Sequence, residues 1–334
     1  MDSLQTNTSL PAKPNTQPLK DKLDRLKKIL TDCGRVMVAL SGGVDSVFLT
    51  AFAHRLWGDE RIATITASGP HFAPDEAAYA NEFCRKLEIL HETYPIDYVL
   101  PVIQDNPPDR CYICKREIFS ALKSHAAERG YVIADGTNLD DMQDYRPGIR
   151  ALQELEVRSP LKEAGLTKNE IRQALQELAA GDPVMEDALT IQPEPMVRTD
   201  RPEPDGAAKL HDDADPSSDI ISCPPPMPIW EKPAFACLAS RIPYGDQLTV
   251  EKLTSVYKAE RFLRSIGFTQ VRVRVHGDAA RIEVLPEDRA RFFNEIFMEQ
   301  VSEAIRACGF QFAALDLNGY KMGNLNHQEE NNVK

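Results

Sequence analysis

Two hydrophobic rhythms alternate along the chain, and the switches between them lay out its elements. Val36 to Leu40 is a short apolar run bounded by Gly34 and Gly42, the pattern of a strand covered on both faces. It breaks into Ser41-Gly42-Gly43, and an apolar helix follows through Val47 to Ala53. Ahead of it, Leu23, Leu26 and Leu30 among lysines predict a basic amphipathic helix that begins at Leu19. Further strands are predicted over 61–68, 92–97, 131–136 and 156–161, with a helix from Pro74 to Leu87 between the first two. Strands that alternate with helices imply an α/β fold: a parallel sheet with helices on both faces and ligands at the carboxyl ends of the strands. Ser41, Ser68, Asp135 and Ser159 fall at such ends.

The rhythm then stops. A helix from Thr167, with Glu170 completing a capping box, runs to Leu178. Residues 181–229 hold 10 Pro and 11 Asp or Glu against 3 Lys or Arg, which predicts a disordered acidic insertion. Beyond it, 249–268 reads as a helix ending at Gly267. Val271 to His276 alternates apolar and basic residues, as a half-buried strand with Arg272 and Arg274 on one face would. Ala280 to Val284 is its expected partner across Gly277-Asp278, and a helix over about 289–308 and a strand over 310–317 complete a small α+β unit. The predicted division is a disordered tail at 1–19, a nucleotide domain at 20–246, the small domain at 247–324 and a second tail at 325–334. The small domain is expected to close over the site.

Composition narrows the function. The 334 residues exceed one average domain, 42% of them are hydrophobic, and no apolar run reaches the length of a membrane span. A formal charge of −12 argues against a protein that grips nucleic-acid backbones. The 7 cysteines are scattered and odd in number, and the N-terminus lacks a signal sequence, so a reducing, cytoplasmic setting is expected.

The chemistry begins at the first loop. Asp45 and Ser46 stand in the first turn of the helix after Ser41-Gly42-Gly43, where unpaired N–H groups suit an anion. No Gly-Lys-Ser or Gly-Lys-Thr exists, so this is not a Walker A loop. Cys111-Tyr112-Ile113-Cys114 places two thiols within reach of one metal or cluster, or forms a redox pair; a structural zinc would need two more ligands that the sequence does not offer. Cys237 lies in a loop of its own, and three thiolates suffice for a [4Fe–4S] cluster with one iron left open to an outside ligand such as sulfide. Cys33, Cys84 and Cys308 read as small buried side chains, and Cys223 as incidental. The polar stretch Asp135 to Gly148, directly after a strand, reads as a nucleotide and Mg²⁺ loop.

Ser-Gly-Gly-Val-Asp-Ser resembles the pyrophosphate (PP) loop of the ATP pyrophosphatases, which cleave ATP between its α and β phosphates. Together with Arg110-Cys111-Tyr112-Ile113-Cys114-Lys115, the 135–148 stretch, Ser159-Pro160-Leu161 before Gly165-Leu166-Thr167-Lys168, and Cys237 to Gly245, it is similar to the LarE family of ATP-dependent sulfur transferases from about residue 20 to Tyr320. The resemblance implies an adenine nucleotide alpha hydrolase-like (PP-loop) domain followed by a small α+β domain. It also implies adenylation of a carboxylate of pyridinium-3,5-biscarboxylic acid mononucleotide and its conversion to a thiocarboxylate for a nickel-pincer cofactor. Cys111, Cys114 and Cys237 match the three-cysteine members, which use a [4Fe–4S] cluster. Ser41, Gly42, Gly43 and Ser46 would hold pyrophosphate, and Asp45 with one of Asp140, Asp141 or Asp144 would place Mg²⁺. Ser68, Gly136, Thr137, Asn138 and Arg146 would face ATP, while Ser240, Arg241 and Arg272 would meet phosphate, Arg241 alternatively lowering the pKa of a thiol near Cys237. The expected partners are a small nucleotide substrate, other nickel-pincer biosynthesis proteins and further copies of the chain. A tRNA-thiolating enzyme would need a basic surface, an ammonia-using synthetase of the NAD or GMP type would need no Cys-x-x-Cys, and a non-catalytic nucleotide-binding module would release no pyrophosphate.

Overall fold

The computed structural model describes residues 17–142, 147–192, 225–233 and 235–321. The first helix, α1 (Leu19–Cys33), leads into β1 (Val36–Ala39), α2 (Val44–Trp57), β2 (Ile62–Ser68), α3 (Pro74–Lys86) and β3 (Leu90–Pro95). A short turn of helix, α4 (Val99–Val102), precedes α5 (Arg110–Glu128) and β4 (Val132–Ala134). The four strands form one parallel sheet in the order β3-β2-β1-β4, with Val36 opposite both Ile62 and Val132. Val36, Met37 and Val38 are wholly buried, as the central strand of a doubly covered sheet requires.

The expected fifth strand is reduced to one bridge between Ala134 and Arg158. Pro160, which has no N–H to give a ladder, opens α7 (Pro160–Ala164) instead, and Asp135 N–H donates to the Arg158 carbonyl at 2.9 Å. Before it comes α6 (Pro147–Glu154), and after it α8 (Lys168–Ala179), whose Thr167–Glu170 capping box forms as predicted.

The disorder expected from residue 181 does not start there. Asp182 caps α9 (Pro183–Ala188), and β5 (Thr190–Ile191) pairs antiparallel with β6 (Met227–Pro228). Met185, Ala188, Leu189 and Ile229 are buried in the core, so apolar anchors at both ends were hidden by the average composition of the stretch. Its middle, 193–224, lies outside the described residues, as do 325–334 and all but the end of the tail expected at 1–19.

The C-terminal unit holds α10 (Val250–Ser265), β7 (Val271–His276), β8 (Ala279–Val284), α11 (Glu295–Ala307) and β9 (Phe312–Leu315). Its sheet runs β7-β8-β9, antiparallel then parallel. The long helix expected from 289 is split: Pro286–Phe293 is a 3₁₀ turn, and Asn294 caps a fresh start by accepting from Phe297 N–H at 3.0 Å. The half-exposed face expected of β7 is also buried, because Arg272 and Arg274 face carboxylates rather than water. One apolar cluster runs from Met37 and Ile65 under the parallel sheet through Leu253 and Val273 to Ile305, so the two units share a core. Among the described residues no helix is long and apolar enough to cross a membrane.

Candidate active site at the carboxyl ends of the sheet

The loop after β1 is shaped by backbone contacts. Gly42 has φ +74°, and a Cβ there would lie 2.6 Å from the Glu76 carbonyl oxygen, so only glycine fits. Ser46 Oγ donates to the Gly43 carbonyl at 3.1 Å and accepts from Ser41 N–H at 3.2 Å, which closes the loop over the start of α2. From the neighbouring strand end, Gly136 presses so closely that a Cβ would stand 2.8 Å from Ser46 N. Ser68, at the end of β2, lines a cavity of about 150 Å³ together with Thr66, Gly69, Phe72 and Glu76.

Asp45 sits in the first turn of α2, with Lys168 Nζ 3.7 Å from its Oδ2 and no partner for its buried Oδ1. Burial, joined by the Asp141 charge, raises its pKa against the pull of Lys168 and Asn138. The Asn138 side-chain amide nitrogen is likewise buried without a partner. An orphaned carboxylate oxygen beside a phosphate-type loop fits Mg²⁺, which takes one or two carboxylates and fills its shell with phosphate oxygens and water. Asp141 accepts from Asn138 N–H at 3.0 Å. Asp140 is spent elsewhere: its Oδ2 accepts from Lys168 N–H at 2.8 Å at the start of α8. Thr137 donates to Asp135, which also accepts from Ser159 Oγ at 2.6 Å, so the hydroxyl expected at the nucleotide braces the loop instead. Asp144 and Arg146 lie outside the described residues.

Cys111 and Cys114 stand one turn apart at the start of α5 and therefore on one face. Cys237 immediately precedes a 3₁₀ turn, Leu238–Arg241, whose Leu238 N–H donates to the His71 carbonyl at 2.9 Å. Burial raises the Cys111 thiol, and the Cys237 charge adds to it while Arg110 opposes. Burial raises Cys114 as well, with Cys237 and Cys111 both contributing, so the three sulfurs lie within each other's electrostatic reach. Among the described residues no three His, Cys, Asp or Glu side chains are gathered tightly enough to hold a single metal ion. The donor set, three soft thiols from two segments, fits instead a group that bonds each sulfur at a different atom.

His71 was not singled out in the sequence. It is wholly buried, its Nε2 lies 3.4 Å from Cys114 Sγ, and burial with the nearby Arg110 charge lowers its pKa to about 4, so the ring is neutral. The rule that ligands gather at strand ends would have flagged it, since it lies three residues past β2.

Arg241, expected to meet phosphate or to act on a thiol, is engaged by protein groups through all three of its guanidinium nitrogens. Its Nε and Nη2 donate to Glu260 at 2.8 and 2.9 Å, and its Nη1 to Ala236 and Cys237 carbonyls and to Ser240 Oγ. It is the clasp of the Cys237 loop. Burial would raise Glu260, but Arg241, Arg264 and Arg272 prevail and hold it below the ordinary carboxylate range. Arg272 packs against the Phe235 and Tyr320 rings, 5.3 Å from each, and burial with Arg241 lowers its pKa to about 10, leaving it cationic at neutral pH. The Ser240 carbonyl accepts from Arg274 Nη1 at 2.6 Å, and Arg274 pairs with Glu283 at 3.1 Å. Ser240 thus stands beside Cys237, whose carbonyl accepts from its N–H at 3.0 Å, and Arg272 lies within electrostatic reach of Arg241. This half of the site combines thiols with fixed positive charge.

The NAD synthase family matches residues 19–133. A pyridinium-3,5-bisthiocarboxylic acid mononucleotide synthase of Lactiplantibacillus plantarum is 31% identical over 310 residues, which is 92% of this chain and 95% of that protein. An uncharacterized protein of Synechocystis is 34% identical over 310 residues, 92% of this chain and 98% of its own length. A solved glutamine-dependent NAD⁺ synthetase from Acinetobacter baumannii, in complex with ADP, overlaps 53% of this chain and 36% of its own, with a TM-score of 0.41 and 15% identity.

Proposed function

The chain belongs to the LarE family, that of the pyridinium-3,5-bisthiocarboxylic acid mononucleotide synthase, and is an enzyme of ATP-dependent sulfur transfer; on that premise we propose that it thiolates the carboxylates of pyridinium-3,5-biscarboxylic acid mononucleotide. The observation that carries this reading is the meeting of Cys114, with Cys111 one turn away, and the Cys237 loop at His71, just past the end of β2 and so at the same end of the parallel sheet as the Ser41 to Ser46 loop.

In the first step a substrate carboxylate oxygen attacks the α phosphorus of ATP, the α–β bridge bond breaks, and pyrophosphate leaves as the acyl adenylate forms. The loop N–H groups receive the charge that develops on pyrophosphate, as fixed dipoles that need no reorganisation, and the Ser46 hydroxyl joins them by turning from the Gly43 carbonyl. Asp45, with Asp141 beside it, would hold Mg²⁺, which neutralises the phosphate oxygens. In the second step sulfur adds to the acyl carbonyl, the bond to AMP breaks, and AMP leaves with the electron pair. Arg272 holds the substrate's phosphate, while Arg241 and Glu260 keep the Cys237 loop in place. Cys111, Cys114 and Cys237 would hold a [4Fe–4S] cluster, which when bound supplies sulfide from an iron that no protein thiolate occupies. The proposal includes a cytoplasmic, homo-oligomeric protein working with other enzymes of nickel-pincer biosynthesis.

Iron and acid-labile sulfide on anaerobically purified protein test the sulfur source. The expected result is about four irons per chain, lost in Cys111→Ser while pyrophosphate release persists. Iron-free protein that still thiolates its substrate would overturn the cluster and turn attention to Cys237 as a sacrificed sulfur.

A further inference from the structure

The pyrophosphate loop contains no lysine of its own, yet one reaches it from 190 residues downstream. Lys232 Nζ donates to the Gly42 carbonyl at 2.8 Å and to Glu76 Oε2 at 2.7 Å, and the ammonium is largely shielded from solvent. Glu76 is the same carboxylate that crowds Gly42 and lines the cavity at the end of β2. The Lys232–Glu76 pair therefore bridges the anion loop and the cavity that would take the nucleoside. A nucleotide spanning the two must lay its α and β phosphates past that ammonium.

The segment that carries Lys232 is held at both ends. Arg172 of α8 donates to the Trp230 carbonyl at 2.9 Å, and Leu238 N–H is bound by the His71 carbonyl at 2.9 Å. Cys237 follows Lys232 by only five residues, which is at most about 18 Å of extended chain. One short strap thus bears both the cation at the loop and the sulfur of the third cysteine.

We propose that Lys232 is the cation of this pyrophosphate loop: on ATP binding its ammonium exchanges Glu76 for the α and β phosphates and stabilises the charge that develops as pyrophosphate leaves. The exchange moves no proton and breaks no covalent bond. A polyphosphate offers the ammonium more negative charge than one carboxylate does, and the Gly42 carbonyl keeps the lysine at hand throughout. This assignment rests on the loop's being the ATP site.

The test compares Lys232→Met, Lys232→Arg and Glu76→Gln with the wild type, reading ATP and AMP affinity, pyrophosphate release and melting temperature. Lys232→Met is expected to lower pyrophosphate release about 100-fold and to weaken ATP at least about tenfold more than AMP, because AMP offers the ammonium only an α phosphate while ATP offers the α and β phosphates together. Lys232→Arg should restore part of the rate. Glu76→Gln should tighten ATP, since its competitor for the ammonium is neutralised. Wild-type ATP affinity and rate in Lys232→Met would overturn the assignment. So would a parallel loss of ATP and AMP affinity and of melting temperature in Lys232→Met and Glu76→Gln, the signature of a mere brace. If the wild type binds ATP through Lys232 but releases no pyrophosphate with any carboxylate substrate, the sulfur-transfer reading fails while the lysine's role in binding stands.

Discussion

Ser41 to Ser46 make the anion loop from six consecutive residues, whereas the cysteine centre joins the start of α5, the strap around Cys237, the loop after β2 and the sheet of the small domain. The first relies on backbone N–H groups and on glycines at places where a Cβ cannot stand. The second relies on buried side chains: the Arg241–Glu260 pair and Glu283 are wholly removed from water, and Arg274 nearly so. The contrast teaches where each half is fragile. A backbone-built site fails when its turn is deformed, while a site built on buried ions fails when one partner is removed and the other is left uncompensated.

Four substitutions or conditions sharpen that contrast. Cys237→Ala should separate the halves most sharply, with thiocarboxylate formation falling at least about 10³-fold while pyrophosphate release with substrate stays within about threefold. Parallel product and pyrophosphate assays check it. Glu260→Ala should come next, destabilising the fold by about 3–5 kcal/mol because Arg241 loses the carboxylate that neutralises it, as denaturant melts would show. Gly42→Ala acts on the other half: the added methyl meets Glu76 and the φ of +74° disfavours it, so pyrophosphate release should fall about 100-fold while the thiols' reactivity to alkylation is unchanged.

The smallest effect is a pH slope. His71 has a folded pKa of about 4 against an ordinary 6.5, so between those values the unfolded chain binds more protons than the folded one. Stability of the cluster-free protein should then rise with pH across that window, by up to about 3.4 kcal/mol in all, and be lost as pH falls from 6.5 to 4. His71→Gln should flatten that part of the curve in melts taken at a series of pH values.

The same contrast explains what the sequence disclosed. The loop, its strand and its helix are one local pattern, so Val36 to Ala53 could be read directly, as could the capping box at Thr167 and Glu170. Cys111 and Cys114 were legible through spacing, but nothing local joins them to His71 or Glu260, and that pairing exists only in the tertiary fold. The alternation Val271-Arg272-Val273-Arg274 discloses two arginines on one strand face, but period alone does not say what lies opposite them; here it is Glu283 on β8 and Glu260 on α10. The pairing of Arg241 was hidden for the same reason, since its carboxylate partner is 19 residues away. The ends of the acidic stretch were misread because a composition count over 181–229 averaged away Met185, Leu189 and Ile229.

The most direct test is a single-turnover reaction of anaerobically purified protein with ATP, Mg²⁺ and pyridinium-3,5-biscarboxylic acid mononucleotide, with pyrophosphate counted and the organic product weighed by mass spectrometry. Pyrophosphate should appear with a product in which sulfur has replaced a carboxylate oxygen, and Cys237→Ala should yield the pyrophosphate without the sulfur. Pyrophosphate released with an unthiolated or amidated product from the wild type would contradict sulfur transfer.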